Sequence, residues 1–144
     1  MLQLNTIREE KDRVLAGLKK RNFKELGLID EIIALDEKRR STQLSLDETL
    51  AKSNNLSKEI GSLFKAGETD KANALKEQTA TLKEDIKTLT DTLNTTVEQL
   101  NDLLYRVPNI PNELVPEGTS EADNVVVFEA GEIPNLGKDA LPHW

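Results

Sequence analysis

The sequence contains no cysteine, which excludes disulfides, thiolate metal sites and cysteine nucleophiles. Its single histidine, His143, removes most zinc and acid–base arrangements. Aromatic residues make up 3% of 144 positions against 31% charged, thin material for a compact core and ordinary material for an elongated helical hairpin. Met1 to Arg8 has no apolar h-region, and no run of about 18 apolar residues occurs anywhere, so a soluble cytoplasmic protein with no membrane partner is expected. There is no Gly-rich phosphate loop, no nucleophile elbow and no metal-ligand pair at helical spacing, so no catalytic residue and no metal site is assigned. Positive charge is short as well. At a net charge of -7, nonspecific attraction to nucleic acid cannot be argued from the total, and no DNA partner is expected.

What the sequence does have is a sustained period of 3.5 residues. Alternate steps of four and three pick out Leu28, Ile32, Leu35, Arg39, Thr42, Leu46, Thr49, Ser53, Leu56, Ile60 and Leu63, then Ala72, Leu75, Thr79, Leu82, Ile86, Leu89, Leu93, Thr96, Leu100, Leu103 and Val107. That period keeps one narrow apolar stripe facing a partner helix. The segment between the two runs, Phe64 to Asp70, reads as a tight reversal: Gly67 suits the left-handed position that ends a helix, Thr69 suits the next cap, and Asp70 suits its first turn. The two helices are therefore antiparallel, with Ile60 opposite Leu75, Leu46 opposite Leu89 and Leu35 opposite Leu100. Arg39 opposite Thr96 is the one fully polar layer; Arg39 suits either an RNA contact swung outward or, as the favoured reading, a polar residue that fixes register at some cost in stability. The fold class is all-α: a long antiparallel two-helix coiled-coil hairpin with a short N-terminal helix docked at its base, and an irregular C-terminal tail with one short strand.

The docked helix is expected over residues 4 to 21, with Leu4, Ile7, Val14 and Leu18 on one face and Asn5 or Thr6 as cap. A helix this short needs a dock. The base of the hairpin offers Ile29, Ile33, Val97 and Leu104, apolar residues outside the seam. After Val107 the pattern stops at Pro108, and Ile110-Pro111 and Val115-Pro116-Glu117-Gly118 make an irregular exit. Asn124 to Phe128 is the strand candidate, which needs a sheet to join. His143 beside Trp144 suits either a ligand site or, as the favoured reading, a packing residue whose partners are absent, and the chain looks cut at that point. The domain boundaries are 1–107 for the helical arm and 108–144 for a linker leading into a further domain.

Charge is distributed unevenly. Residues 1 to 27 hold seven Lys or Arg against four Asp or Glu, whereas 108 to 144 hold one against seven. The base of the arm is thus the basic end. The run Lys19, Lys20, Arg21 and Lys24 suits either a phosphate contact or a solvated turn. Asn55-Leu56-Ser57 and Asn94-Thr95-Thr96 match a glycosylation pattern by chance, since both lie on helices. Along the arm, lysines alternate with carboxylates, so a polyanion would be met by local, shape-matched contacts. Arg40, Lys52, Lys58, Lys76 and Lys83, at outward or flanking heptad positions, are the expected phosphate contacts. From the residues alone the reading is a hairpin that binds something long, either RNA or, as the rival, a protein partner in the manner of a chaperone or cytoskeletal adaptor.

Particular segments go further. Met1-Leu2, Ile7-Arg8-Glu9, Val14, Leu18 and Arg21, then Leu35-Asp36-Glu37-Lys38-Arg39-Arg40 and Asn54-Asn55-Leu56-Ser57-Lys58-Glu59-Ile60-Gly61, closely resemble the N-terminal tRNA-binding domain of bacterial seryl-tRNA synthetases. The exit continues the likeness in Val107-Pro108-Asn109-Ile110-Pro111, Val115-Pro116-Glu117-Gly118, Asp123-Asn124 and Pro142-His143-Trp144. The resemblance implies an arm that grips the long variable arm of tRNA(Ser), attached to a class II catalytic domain that esterifies serine to its tRNA with ATP and Mg²⁺ and works as a homodimer. It implies no cofactor in this stretch, which lacks the class II motifs. Two positions depart from the family pattern: Glu10 stands where asparagine is frequent, and Asn22 where glycine is common.

Overall fold

A computed structural model describes residues 1–132, 134–138 and 140–141; His143 and Trp144, read above as packing residues, lie outside the described residues. Among the described residues, four α-helices make up the regular structure apart from one short 3-10 turn: α1 (Leu4–Glu9), α2 (Lys11–Lys20), α3 (Leu28–Lys65) and α4 (Thr69–Arg106). The two long helices have 38 residues each, about 57 Å at 1.5 Å per residue. They run antiparallel against each other along their length.

The heptad stripe is the buried stripe. Between residues 51 and 88, every side chain that is not exposed is a seam residue: Ser53, Leu56, Ile60, Leu63, Ala72, Leu75, Thr79, Leu82 and Ile86. Most of these are only half-buried, because two helices alone cannot enclose a seam. The polar layer resolves differently from expectation. Thr96 is buried at 1% exposure and donates its hydroxyl to the Thr92 carbonyl at 2.8 Å, the local bond that lets a threonine sit inside a helix. Arg39 leaves the seam and bonds to Asp36 on its own helix.

The reversal is a Schellman motif. Gly67 has φ +79°, its N–H donates to the Phe64 carbonyl, and the Glu68 N–H donates to the Leu63 carbonyl, which satisfies two carbonyls left open at the end of α3. Glu68 stands at the N-cap position of α4 without a side-chain cap bond, and Thr69 is already inside the helix. The cap expected at Asn5 or Thr6 is likewise absent: α1 starts at Leu4 after Gln3, without a side-chain cap.

The N-terminal segment forms two helices where the periodicity suggested one. The break is at Glu10, φ -122° and ψ 38°, a residue with no helix-breaking chemistry. Tertiary bonds hold it, since Arg8 on one side reaches Asp36 and Lys11 on the other reaches Asp30. The break leaves Ile7, Val14 and Leu18 all fully buried against Leu28, Ile29, Ile32, Leu100, Leu104 and Val107. This cluster is the core of the molecule, and it sits at the base of the hairpin.

The exit is strapped to the end of α2. Lys20, Arg21 and Asn22 donate side-chain hydrogen bonds to the carbonyls of Glu113, Asn109 and Gly118, and a Cβ on Gly17 would come within 2.7 Å of Ile110. Asn22 has φ +59°, the left-handed region that glycine occupies at least cost. A 3-10 turn at Glu121–Asp123 follows; the Asp123 carboxylate accepts from the Thr119 and Ser120 N–H groups, which hold its pKa below the usual range. The expected strand at Asn124 to Phe128 is not formed. Val125, Val126, Val127 and Phe128 are 64 to 88% exposed on irregular backbone, as an extended segment must be with no neighbouring strand to pair with.

Candidate nucleic-acid interface

Heptad geometry gives each long helix two edges beside the seam. Ile29, Asp36, Gln43, Leu50, Ser57 and Phe64 recur every seven residues along one edge of α3, and Lys76, Lys83, Thr90, Val97 and Leu104 along one edge of α4. These edges lie on the same side of the hairpin at both ends. At the base Ile29 and Leu104 share the core with Ile7 of α1, and near the tip the Lys76 Nζ stands 4.8 Å from the centroid of the Phe64 ring, a cation–π contact. The docked N-terminal helices occupy the base of this side and leave the rest open.

Arg40, one turn on from Asp36, and Lys87, one turn on from Lys83, widen this side. From Arg40 to the tip it thus carries four cations, Arg40, Lys76, Lys83 and Lys87, with Asp47 as its carboxylate. Asp47 accepts a hydrogen bond from Gln43 at 2.9 Å. Measured along the arm, the levels of Arg40 and Lys76 are about 28 Å apart. The outward back of α4 is the reverse: Asp70, Glu77, Glu84, Asp91 and Glu98 recur every seven residues and all are exposed.

The five cations expected from sequence therefore divide. Arg40, Lys76 and Lys83 come together on the docking side. Lys52 lies on the opposite edge, where it and Leu56 line a shallow depression with Gln78, Thr81 and Leu82, and where Lys38 lies beside Thr92 and Gln99. Lys58 is on the exposed back of α3. Lys87, which is not among those five, lies with the first group, one helical turn on from Lys83.

At the lower end of the cationic side Asp36, 3% exposed, accepts from Arg8 and Arg39 and pairs with Arg40. Burial pushes its pKa up, but the hydrogen bonds and charge of Arg39, with Arg40 and Arg8, outweigh this and hold the carboxyl below the usual carboxylate range. Nothing in the period marked Asp36 as buried, since it lies outside the seam. The cations at the base are largely engaged: Lys20 and Arg21 in the strap, Arg13 with Glu10 and Arg106 with Glu25. The run Lys19 to Lys24 is thus in part a structural clamp. Among the described residues no group of three or more His, Cys, Asp or Glu is placed to hold a metal ion, and no helix is long and apolar enough to cross a membrane.

Residues 1–111 match the family model of the seryl-tRNA synthetase N-terminal domain. The chain is 48% identical over all 144 of its residues to the serine–tRNA ligase of Thermotoga neapolitana and 37% identical to that of Salinibacter ruber, and covers 34% of each. It thus spans about a third of the length of the curated relatives it matches. Among solved structures, the seryl-tRNA synthetase of Pyrococcus horikoshii complexed with ATP superposes with a TM-score of 0.76 at 29% identity, over 87% of this chain and 28% of that one. The cytoplasmic serine–tRNA ligase of Naegleria fowleri in complex with AMP shares the fold, with a TM-score of 0.70 at 23% identity over 96% of this chain and 37% of that one. With its helical hairpin and the family match over most of its length, the chain belongs to the seryl-tRNA synthetase N-terminal domain family.

Proposed function

We propose that residues 1–107 are the tRNA-gripping arm of a serine–tRNA ligase, and that 108–144 lead into the catalytic domain of a longer protein. The arm lies along the long variable arm of tRNA(Ser) and contacts its backbone with the side that carries Arg40, Lys76, Lys83 and Lys87. The observation that carries this reading is the one-sidedness of the charge. Four cations against one carboxylate face outward on the side where α1 and α2 dock, while the back of α4 repeats five carboxylates. A polyanion is attracted to the first and repelled by the second, so a net negative arm still presents RNA with a defined face. An extent of about 28 Å suits a helical stem better than a single phosphate.

Serine activation with ATP and Mg²⁺, and dimerisation that presents a tRNA held by one arm to the partner's active site, belong to the full-length enzyme. No step of that chemistry is assigned to this chain. A cytoplasmic location follows the same reading.

The test is a titration of this chain against a tRNA with a long variable arm and one with a short arm. Association in the micromolar range or weaker is expected for the first, falling as salt rises. Lys83→Ala and Lys87→Ala should each weaken it, whereas Lys52→Ala, on the opposite edge, should change it by no more than about twofold. Equal affinity for the two tRNAs would overturn the proposal.

A further inference from the structure

Asp36 is a carboxylate at the junction of α1 and α3 with a side chain 4% exposed. Both of its oxygens are fully used. Oδ1 accepts from Arg39 Nε at 3.1 Å and Nη2 at 2.8 Å; Oδ2 accepts from Arg8 Nη1 at 3.2 Å and lies 3.2 Å from Arg40 Nε. One guanidinium would neutralise the carboxylate, yet three converge on it. Glu9 offsets a second charge at the rim, touching Arg8 at 3.3 Å while 67% exposed. The cluster therefore keeps one positive charge in excess.

Its outer surface is open. The side chains of Arg8 and Arg39 are about one-third exposed and that of Arg40 is 51% exposed. Nη1 and Nη2 of Arg40, and Nη1 of Arg39, have no hydrogen-bond partner among the described residues. Guanidinium N–H groups held in a plane and only partly desolvated match the paired oxygens of a phosphate, and an arginine already fixed by a buried partner loses less entropy on binding than a free one.

We propose that Arg8, Arg39 and Arg40 form an anion seat for one phosphodiester group of the RNA backbone, with the buried Asp36 as its positioning residue. The seat rests on the reading of the arm as a tRNA-binding element, and it adds to that reading a contribution from the N-terminal helix. α1 supplies one of the three guanidiniums, so docking α1 on the arm completes the seat. It closes the lower end of the cationic side, about 12 Å along the arm from the level of Lys87.

The experiment uses the whole chain, a tRNA with a long variable arm, a salt titration of affinity, and thermal melting followed by circular dichroism. The discriminating variant is Asp36→Asn. It adds one net positive charge, so charge alone predicts tighter binding; the seat predicts binding weakened about five- to tenfold, because the guanidiniums lose the carboxylate that holds them. Arg40→Gln should weaken binding and lower the slope of log affinity against log salt by about one, the signature of one lost phosphate contact. Arg40→Lys should recover the slope without the full affinity. If Asp36→Asn fails to fold, the half-exposed Arg40 decides, with an unchanged slope in Arg40→Gln overturning the seat. Native melting of Asp36→Asn with unchanged or tighter binding also overturns it. If both seat variants bind normally while Lys83→Gln is weakened, the seat fails together with the Arg40 contact, and the arm reading stands on Lys76, Lys83 and Lys87; if the unaltered chain does not distinguish the two tRNAs, the arm reading fails and the seat with it.

Discussion

Replacing Ile29 or Leu56 by alanine removes the same three carbon atoms from two parts of one hairpin. Ile29 is at 0% exposure in the core at the base, against Ile7 and Leu104. At about 0.8 kcal/mol per buried methylene the transfer loss is roughly 2.4 kcal/mol, and a closed site adds a cavity term that brings the total to about 3–4 kcal/mol. Leu56 is a seam residue but only half-buried, beside Lys52, Gln78 and Leu82. About half of its transfer energy is available, and water fills the space left, so roughly 1 kcal/mol is expected. Urea denaturation followed by far-UV circular dichroism measures both, with the m-value as the check that the denatured state is unchanged. Equal costs would refute the argument, because they would require the distal arm to be enclosed by something other than its two helices. Repeating the measurement at several protein concentrations would then separate a self-associating arm from a misjudged seam. The same reasoning gives a gradient in amide exchange, with residues at the base protected to the global stability and those near Gly67 exchanging by local opening.

Acid should weaken the base. The Asp36 pKa is depressed in the folded state, so the stabilisation it brings is full above the unfolded value of about 3.9 and is lost as pH falls through the folded value. Melting temperature should drop as pH falls below about 4, and the drop should be shallower in Asp36→Asn; an identical pH profile for the two proteins would refute the role given to the carboxylate. Gly67→Ala meets no atom within 4 Å but must adopt φ +79°. A cost of about 1 kcal/mol is expected from the backbone alone, and a neutral result in denaturation would contradict the left-handed reversal. Gly17→Ala would drive a Cβ to 2.7 Å from Ile110, so the strap should loosen and cleavage near residues 109–118 by a nonspecific protease should accelerate several-fold, with the helices intact by circular dichroism. Unchanged cleavage would mean that the exit is not held against α2.

Local rules determined much of this protein. A spacing of 3.5 residues fixes which side chains meet, because helical geometry leaves no other stripe continuous; Leu46, Leu56 and Leu82 could be assigned to the seam without coordinates. Gly67 determined the reversal for an equally local reason, the steric cost of a left-handed residue with a Cβ. The cap at Thr69 and the strand at Asn124 to Phe128 were misread. The first turned on a one-residue shift that the sequence does not encode strongly, and the second on a pairing partner that local pattern cannot supply. The family could be recognised from the order of short segments at both ends, which periodicity would not have revealed.

Packing decided the rest. Asp36 has the sequence signature of a solvated helix residue paired with Arg39 and Arg40 on its own helix, and the approach of α1 buries it and adds Arg8 as a third guanidinium. Tertiary bonds likewise placed the break at Glu10 and turned Lys20, Arg21 and Asn22 into a clamp on the exit. The five cations chosen from sequence could not be sorted until the docking side was known. A heptad fixes the edges of each helix relative to its seam, but the side that α1 and α2 cover, and so the face left open beyond them, is decided where Ile7, Ile29 and Leu104 meet.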